Sequence, residues 1–430
     1  MTSSPSIAIV GGGIAGLEIA TELGRQLGRS GRATITLIDR DTAHIFKPML
    51  HTIAAGTSDV HREQVAFASH AWRHGFTYWP GEMDGIDRQR KAISLAPLPL
   101  PDGRLLLQPR SITYDALILA VGSQANDFGT PGVAEHCHFI DSRLQADAFS
   151  REARAQMLRC VTEDASMRIA IVGGGATGVE LAAELVQLAE SAAAYGDSDL
   201  ASRVGLTLIE SGPRLLSTFP ERISTAAEHQ LRALGVDVRT GTRVSAAEPG
   251  AYRLSDGSLV EATLMVWAAG VKGADVLSSL DGLDATRSNQ LLVRPTLQTL
   301  KDDHIFAVGD CASLTLPGSE RPLPPTAQVA HQQAKHLARH LPAWLEGSPL
   351  PAFSYRDFGS LVSLGRYNAF GSLGRFGLFR GGFIRGRFAQ LSHIMLYRSH
   401  QARLHGFWRG SLLWLADRID KLVRPSIRLD

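Results

Sequence analysis

Gly11-Gly12-Gly13-Ile14-Ala15-Gly16 and Gly173-Gly174-Gly175-Ala176-Thr177-Gly178 place one spacing, GxGxxG, twice in a single chain. At such a turn Gly11, Gly13 and Gly16, or Gly173, Gly175 and Gly178, let the backbone bend tightly, approach a pyrophosphate and pack helix on sheet. The helix that follows offers unpaired N–H groups to the phosphates. Two carboxylates complete the pattern. Asp39 and Glu210 each end the next apolar run, where an acid accepts from a ribose 2′-OH, although both lie farther along than the usual ~20 residues. Ser211 rather than Arg follows Glu210. A carboxylate there repels a 2′-phosphate and favours NADH, with Arg214 near enough to leave the question open. One glycine turn alone is a weak signal; two, each with its strand, helix and acid, imply two dinucleotides and electron transfer between them.

The elements that must hold these groups follow from the apolar runs. Residues 7–10 and 169–172 read as short buried strands entering the turns, and 35–38 and 206–209 as the strands that end at the acids. Residues 114–122 form a strand running into Ala120 and Gly122, and 263–270 repeat it at Ala269 and Gly270. The stretch 190–202 reads as a longer helix and loop. An inserted unit spans Arg168 to about Gly282, after which 293–297 and 304–308 return the chain to the first sheet. The second of these ends at Gly309-Asp310, where the carboxylate can accept from a ribityl hydroxyl or approach a pyrophosphate.

The 430 residues exceed one ordinary core and should divide into two or three domains. Residues 1–6 are polar and lack the basic flank of a signal peptide, and no apolar run reaches the ~18 residues of a membrane span. Cys137, Cys160 and Cys311 are the only cysteines and fall in no CxxC spacing. Neither a disulfide framework nor a metal site is indicated. A redox dithiol of the kind disulfide reductases carry after their first glycine turn is also missing, since 39–56 contains no cysteine. Cys311 reads as a small buried filler.

Four segments carry a narrower resemblance: Phe46-Lys47-Pro48-Met49-Leu50-His51, Gly178-Val179-Glu180-Leu181, Ile305-Phe306-Ala307-Val308-Gly309-Asp310, and Ala327-Gln328-Val329-Ala330-His331-Gln332. Together they resemble the type II NADH dehydrogenases, single-subunit, non-proton-pumping NADH:quinone oxidoreductases, over essentially the whole chain. The resemblance implies an α/β fold of two Rossmann-like dinucleotide-binding domains, an FAD domain with an inserted NADH domain, plus a C-terminal amphipathic membrane-anchoring region. The expected boundaries are 1–125 and 291–350 for the two halves of the FAD domain, 126–290 for the NADH domain and 351–430 for the anchor. FAD is expected on Gly11, Gly13, Gly16, Asp39, Lys47, Ala120, Gly122, Gly309, Asp310 and Ala327. NAD(H) is expected on Gly173, Gly175, Gly178, Glu180, Glu210, Ala269 and Gly270.

Four residues are assigned to the chemistry. Glu180, at the head of its helix, is implied to lie between nicotinamide and flavin, while Glu184 one turn on reads as a helix-surface carboxylate. Lys47 is implied to sit by the flavin ring as a cation that stabilises its reduced form. Pro325 suits the first turn of a helix running from Ala327 to about Leu341, whose positive end is implied by the resemblance to face the flavin and would stabilise its reduced form. Gln328 and Gln332, four apart on one face, can hydrogen-bond quinone carbonyls. His331 could relay a proton to the reduced quinone, a role histidine side chains commonly take.

From Phe358 to Asp430 eleven Arg and one Lys oppose three Asp, a local charge of +9 that leaves −7 for the remainder. Phe376, Leu378, Phe379, Phe383, Ile384 and Phe388 alternate with arginines. Residues 391–404 and 410–423 then read as two amphipathic helices with Met395, Leu396, Tyr397, Phe407, Trp408 and 412–415 available to lipid. Aromatics and arginines without a spanning run describe a monotopic anchor on an anionic leaflet, here the cytoplasmic face of the cell membrane. The same faces could instead pack in a core or a homodimer. No recognition module accompanies the charge, so nucleic-acid binding is not expected. Two other functions fit the glycine turns: an NADH-dependent reductase of a small redox protein, and a non-catalytic NADH-binding redox sensor.

Overall fold

Ile7, Ala8, Ile9 and Val10 are all buried, as a strand covered on both faces requires. Their strand, Ser6–Val10, pairs in parallel with Thr34–Asp39 on one side and Ala116–Leu119 on the other. Ile305–Ala307 and Thr77–Pro80 complete a five-stranded sheet, all parallel, as its outer members. The computed structural model describes residues 4–58, 64–100, 102–163, 165–194, 199–373, 375–376, 379–380 and 382–423. Two compact units result: Met1–Phe46, Gln64–Gln124 and Val271–Tyr355 make the first, and Lys47–Glu63, Ala125–Gly270 and Arg356–Asp430 the second.

Parallel neighbours need crossover connections, and in the first unit the helix Ile14–Leu23 supplies the one that opens on the glycine turn. We call it the first glycine helix. The helix Ala327–Leu345, the glutamine helix, packs on it. Thr326 caps the glutamine helix by accepting from the Val329 N–H at 3.3 Å. Pro325 therefore stands before the cap, not in the first turn, and the helix continues past Leu341 through Pro342.

The second unit repeats the plan with four parallel strands in the order Asp237–Arg239, Val204–Ile209, Met167–Val172, Leu264–Trp267. Its second glycine helix is Ala176–Ala194. Tyr252 and Trp267 anchor the core beneath an antiparallel trio, Val244–Glu248, Ala251–Leu254 and Leu259–Glu261, with the Tyr252 hydroxyl donating to the Val266 carbonyl at 3.0 Å. The same unit includes a C-terminal antiparallel sheet of Gly359–Leu364, Asn368–Leu373 and Phe383–Arg385, followed by the helices Arg387–His405 and Phe407–Val423.

Several expectations are corrected here. Residues 293–297 do not join the first sheet: Arg294 N–H bonds the Gln298 carbonyl and Leu297 has φ +69°, so a tight turn interrupts them. The C-terminal region is grouped with the second unit instead of standing apart, and Lys47–Glu63 belongs there too. The last two helices begin earlier than read, at Arg387 and Phe407. Tyr397, expected toward lipid, is buried. The expected apolar positions Leu378 and the side chains of Phe376, Phe379 and Phe388 lie outside the described residues.

Steric crowding explains both glycine turns. A Cβ on Gly16 would sit 1.8 Å from the Gly11 carbonyl oxygen, and one on Gly178 2.0 Å from the Gly173 oxygen. Gly13 and Gly175 are different, because a Cβ there meets nothing within 4 Å. The outer glycines thus hold helix against strand while the middle one faces open space at the helix start. Accordingly, Gly16→Ala should cost about 1–3 kcal/mol by overpacking, seen as a lowered thermal midpoint. Gly13→Ala should leave the midpoint of the apoprotein unchanged but lower the yield of bound flavin, read as the ratio of 450 nm to 280 nm absorbance.

Candidate functional site

In the first unit, the strand Thr34–Asp39 delivers its terminal carboxylate to the glycine turn. Asp39 accepts from the Gly12 N–H at 2.5 Å and from the Asp41 N–H at 2.8 Å. Burial pushes this carboxyl above its ordinary range, and the two N–H donors oppose the rise. An ionised carboxylate has about four lone-pair sites, so capacity remains for a sugar hydroxyl. From the edge strand come Gly309, with φ +72°, and Asp310, whose Oδ2 accepts from the Ser123 hydroxyl at 2.9 Å. Gln290 donates to the Asp310 carbonyl at 2.9 Å. Ala120 is buried and Gly122 adopts φ +73° at the end of the neighbouring strand.

The glutamine helix meets this loop through a residue that sequence reasoning passed over. Gln333 is buried and accepts from the Gly309 N–H at 2.7 Å. Only the paired Gln328 and Gln332 carried a visible pattern; a single internal amide has none. Ala327, Gln328 and Gln332 are half-buried, and Gln328 donates to the Tyr355 hydroxyl at 3.0 Å. His331 Nδ1 lies 2.5 Å from Glu18 Oε2 on the first glycine helix. Cys311 is fully buried, donates to the Leu119 and Val308 carbonyls, and is pushed up to about 11 by burial.

In the second unit Glu210 does for Gly174 what Asp39 does for Gly12. Its Oε2 accepts from the Gly174 N–H and its Oε1 from the Gly212 N–H, both at 2.6 Å. Arg214 donates to the carbonyls of Ser217 and Phe219 at 2.7 and 2.9 Å and to the Ser224 hydroxyl. Its guanidinium is thus engaged by its own loop. Ala269 is half-buried, and Gly270 has φ +69° with the Phe128 ring where a Cβ would have to stand.

The head of the second glycine helix carries the densest electrostatics. Glu180 and Glu184 are each 7% exposed. Glu184 is therefore no surface carboxylate: it accepts from the Thr57 hydroxyl at 2.7 Å, and burial raises its carboxyl. Glu180 accepts from the Ser363 N–H at 2.9 Å and has His51 Nδ1 3.5 Å from its second oxygen. Burial pushes Glu180 up to about 8, helped by the Glu184 charge and opposed by the Ser363 N–H. The partners His51, Thr57 and Ser363 lie between 127 and 183 positions from the carboxylates they meet, beyond any local pattern. Lys47 pairs with Asp141 at 2.5 Å at the start of the same segment that carries His51. Among the described residues no cluster of three or more His, Cys, Asp or Glu is arranged to hold a metal ion.

Two open cradles, each with a carboxylate on the second glycine N–H, define a two-dinucleotide reductase architecture. Residues 5–334 match the pyridine nucleotide-disulphide oxidoreductase family. A type II NADH:quinone oxidoreductase of Haemophilus influenzae is 40% identical over 99% of both chains, and one of Staphylococcus saprophyticus is 28% identical over 85% of this chain and 89% of its own. The structure of NDH2 from Plasmodium falciparum in complex with NADH shares the fold, with a TM-score of 0.84 at 19% identity, covering 99% of this chain and 100% of that one. The chain belongs to the pyridine nucleotide-disulphide oxidoreductase family and, within it, to the type II NADH:quinone oxidoreductases.

The raised Glu180 carboxyl has a testable sign. The folded state holds this proton from the ordinary glutamate range near 4.5 up to about 8, whereas the unfolded chain releases it, so stability falls as pH rises across that window. Glu180→Gln removes the titration. The thermal midpoint of the variant relative to the native chain should therefore climb between pH 5 and about 8 and level off above.

Proposed function

We propose that this chain oxidises NADH and reduces a quinone by way of bound FAD, and that it pumps no protons. The observation that carries this reading is the pair of open glycine cradles in a chain matching a type II NADH:quinone oxidoreductase from end to end. Bound FAD supplies a two-electron carrier that accepts from NADH and gives to quinone.

The first unit holds FAD, with Gly11, Gly13 and Gly16 at its pyrophosphate, Asp39 at a ribose, and Ala120, Gly122, Gly309, Asp310 and Ala327 along its length. The glutamine helix directs its positive N-terminus toward the flavin. Lys47, steadied by Asp141, serves as the cation for the reduced ring. The second unit holds NADH on Gly173, Gly175 and Gly178, with Ala269 and Gly270 beside it. Glu210 takes the adenine ribose, and because Arg214 is committed to its own loop, nothing on that loop rewards a 2′-phosphate. Glu180 orients the nicotinamide end, and Gln328 and Gln332 hydrogen-bond the quinone carbonyls.

The acceptor is lipid-soluble, and the C-terminal helices suit a lipid surface. Trp408, Leu412, Leu415 and Ile419 recur at helical spacing, and all are exposed, as are Leu391 and Met395 on the preceding helix. Arg385 and Arg409 lie exposed in the same region. No helix of the described residues is long and apolar enough to cross a membrane. An interfacial attachment to an anionic leaflet, on the cytoplasmic face, combines these features. The stripe would also serve a homodimer; tryptophan and arginine together favour lipid.

In rapid mixing, NADH should bleach the flavin and a quinone analogue should restore it. Gln328→Ala and Gln332→Ala should slow restoration and spare bleaching, and equal slowing of both would remove the amides from the quinone site. Replacing Trp408, Leu412, Leu415 and Ile419 by serine should abolish co-sedimentation with vesicles containing anionic lipid while retaining NADH-driven bleaching. Undiminished sedimentation would count against the anchor.

A further inference from the structure

Glu18 and Glu180 occupy the same place in the two halves of the duplication, two positions after the last glycine of each turn. Each meets a histidine through Nδ1: His331 at 2.5 Å from Glu18 and His51 at 3.5 Å from Glu180. The two pairs differ in their access to solvent. His51 and Glu180 are closed off, with side chains 3% and 9% exposed. Glu18 is equally shielded at 9%, but its partner His331 is 27% exposed. Glu18 occupies Nδ1, and Nε2 makes no hydrogen bond among the described residues, so the second ring nitrogen is left to a ligand or solvent.

The overall reaction fixes what that nitrogen can do. NADH, quinone and one proton give NAD+ and quinol, so one proton must come from beyond the nicotinamide. Gln328 and Gln332 have amides, which hydrogen-bond but do not release protons near neutrality. His331 lies three residues after Gln328 and one before Gln332. Lys335 is the next titratable residue along the helix, one turn beyond His331. The imidazole is the side chain on these turns with two ring nitrogens, one of which can hold a partner while the other gives or takes a proton.

We propose that His331 donates this proton from Nε2 to the reduced quinone oxygen, and that Glu18 is its positioning residue. The Nε2–H bond breaks and a quinone O–H bond forms as the quinone takes its electron pair. Glu18 keeps the Nδ1 proton and stabilises the imidazolium before transfer, and solvent reprotonates Nε2 through the exposed edge. This assignment rests on the quinone reading above and names its proton donor.

The test uses the full-length, FAD-loaded protein with two acceptors: a soluble quinone analogue, which requires a proton, and ferricyanide, which takes electrons alone. His331→Ala should slow quinone-driven flavin reoxidation by about 100-fold. Bleaching by NADH and reoxidation by ferricyanide should hold their native rates, and added imidazole should restore part of the quinone rate. Glu18→Gln, which keeps the side-chain volume, should slow the quinone step alone. In protein labelled with 15N-histidine it should also shift the low-field Nδ1 proton resonance that His331→Ala abolishes. Parallel losses with quinone and ferricyanide, or an undiminished quinone rate in His331→Ala, would overturn the donor assignment. A native protein that reduces ferricyanide but no quinone would instead overturn the functional reading on which it rests.

Discussion

A contact between two pieces of backbone governs this molecule. The last glycine of each turn lies so close to the carbonyl oxygen of the first that no side-chain carbon fits between them. That closeness lays the following helix against its strand and aims the helix start at the open space beside the middle glycine. The terminal acid of the next strand then reaches back to the second glycine N–H, at 2.5 Å in one unit and 2.6 Å in the other. Loop, helix and carboxylate become one rigid receptor whose donors are fixed before any ligand arrives, so little ordering cost is left for binding.

The rest of the chemistry concerns where charge is permitted. Asp39 and Glu210 each accept from two backbone N–H groups, which at Asp39 oppose the effect of burial. Glu180 has one backbone donor and a neighbouring carboxylate, in a place water barely reaches, and holds its proton well beyond the ordinary range. Two helices of common plan therefore set their acids in different surroundings. Environment makes the difference: a shielded glutamate facing a shielded imidazole at the second turn, and a shielded glutamate facing a wetter one at the first.

Much of this was legible in the residues themselves. Apolar runs of four to six, glycines at fixed spacing and an acid at the strand end are local patterns, and they located the inner strands of both parallel sheets, both turns and the glutamine helix, while the edge strands Thr77–Pro80 and Asp237–Arg239 went unread. Failures came where partners were remote. Glu184 looked like a surface acid because nothing near it announces Thr57, 127 positions earlier. Gln333 was overlooked beside the patterned Gln328 and Gln332, since its partner is one backbone N–H in another element. Residues 293–297 have strand composition, but the backbone reversal at Leu297 prevents extension. The C-terminal arginines and aromatics suggested a separate anchor; compositional contrast does not reveal that the Gly359–Leu364 strand supplies Ser363 N–H to Glu180.

The sulfur atoms carry one more implication. Cys311 is sealed beneath the edge strand with its thiol held by two carbonyls, Cys160 is buried, and Cys137 Sγ lies 3.2 Å from the Tyr252 hydroxyl; burial raises all three. Thiolate is the form that attacks disulfides and yields to peroxide, and it is scarce at each position. None of the three thiols therefore has the exposed, low-pKa surroundings in which disulfide exchange or peroxide attack begins.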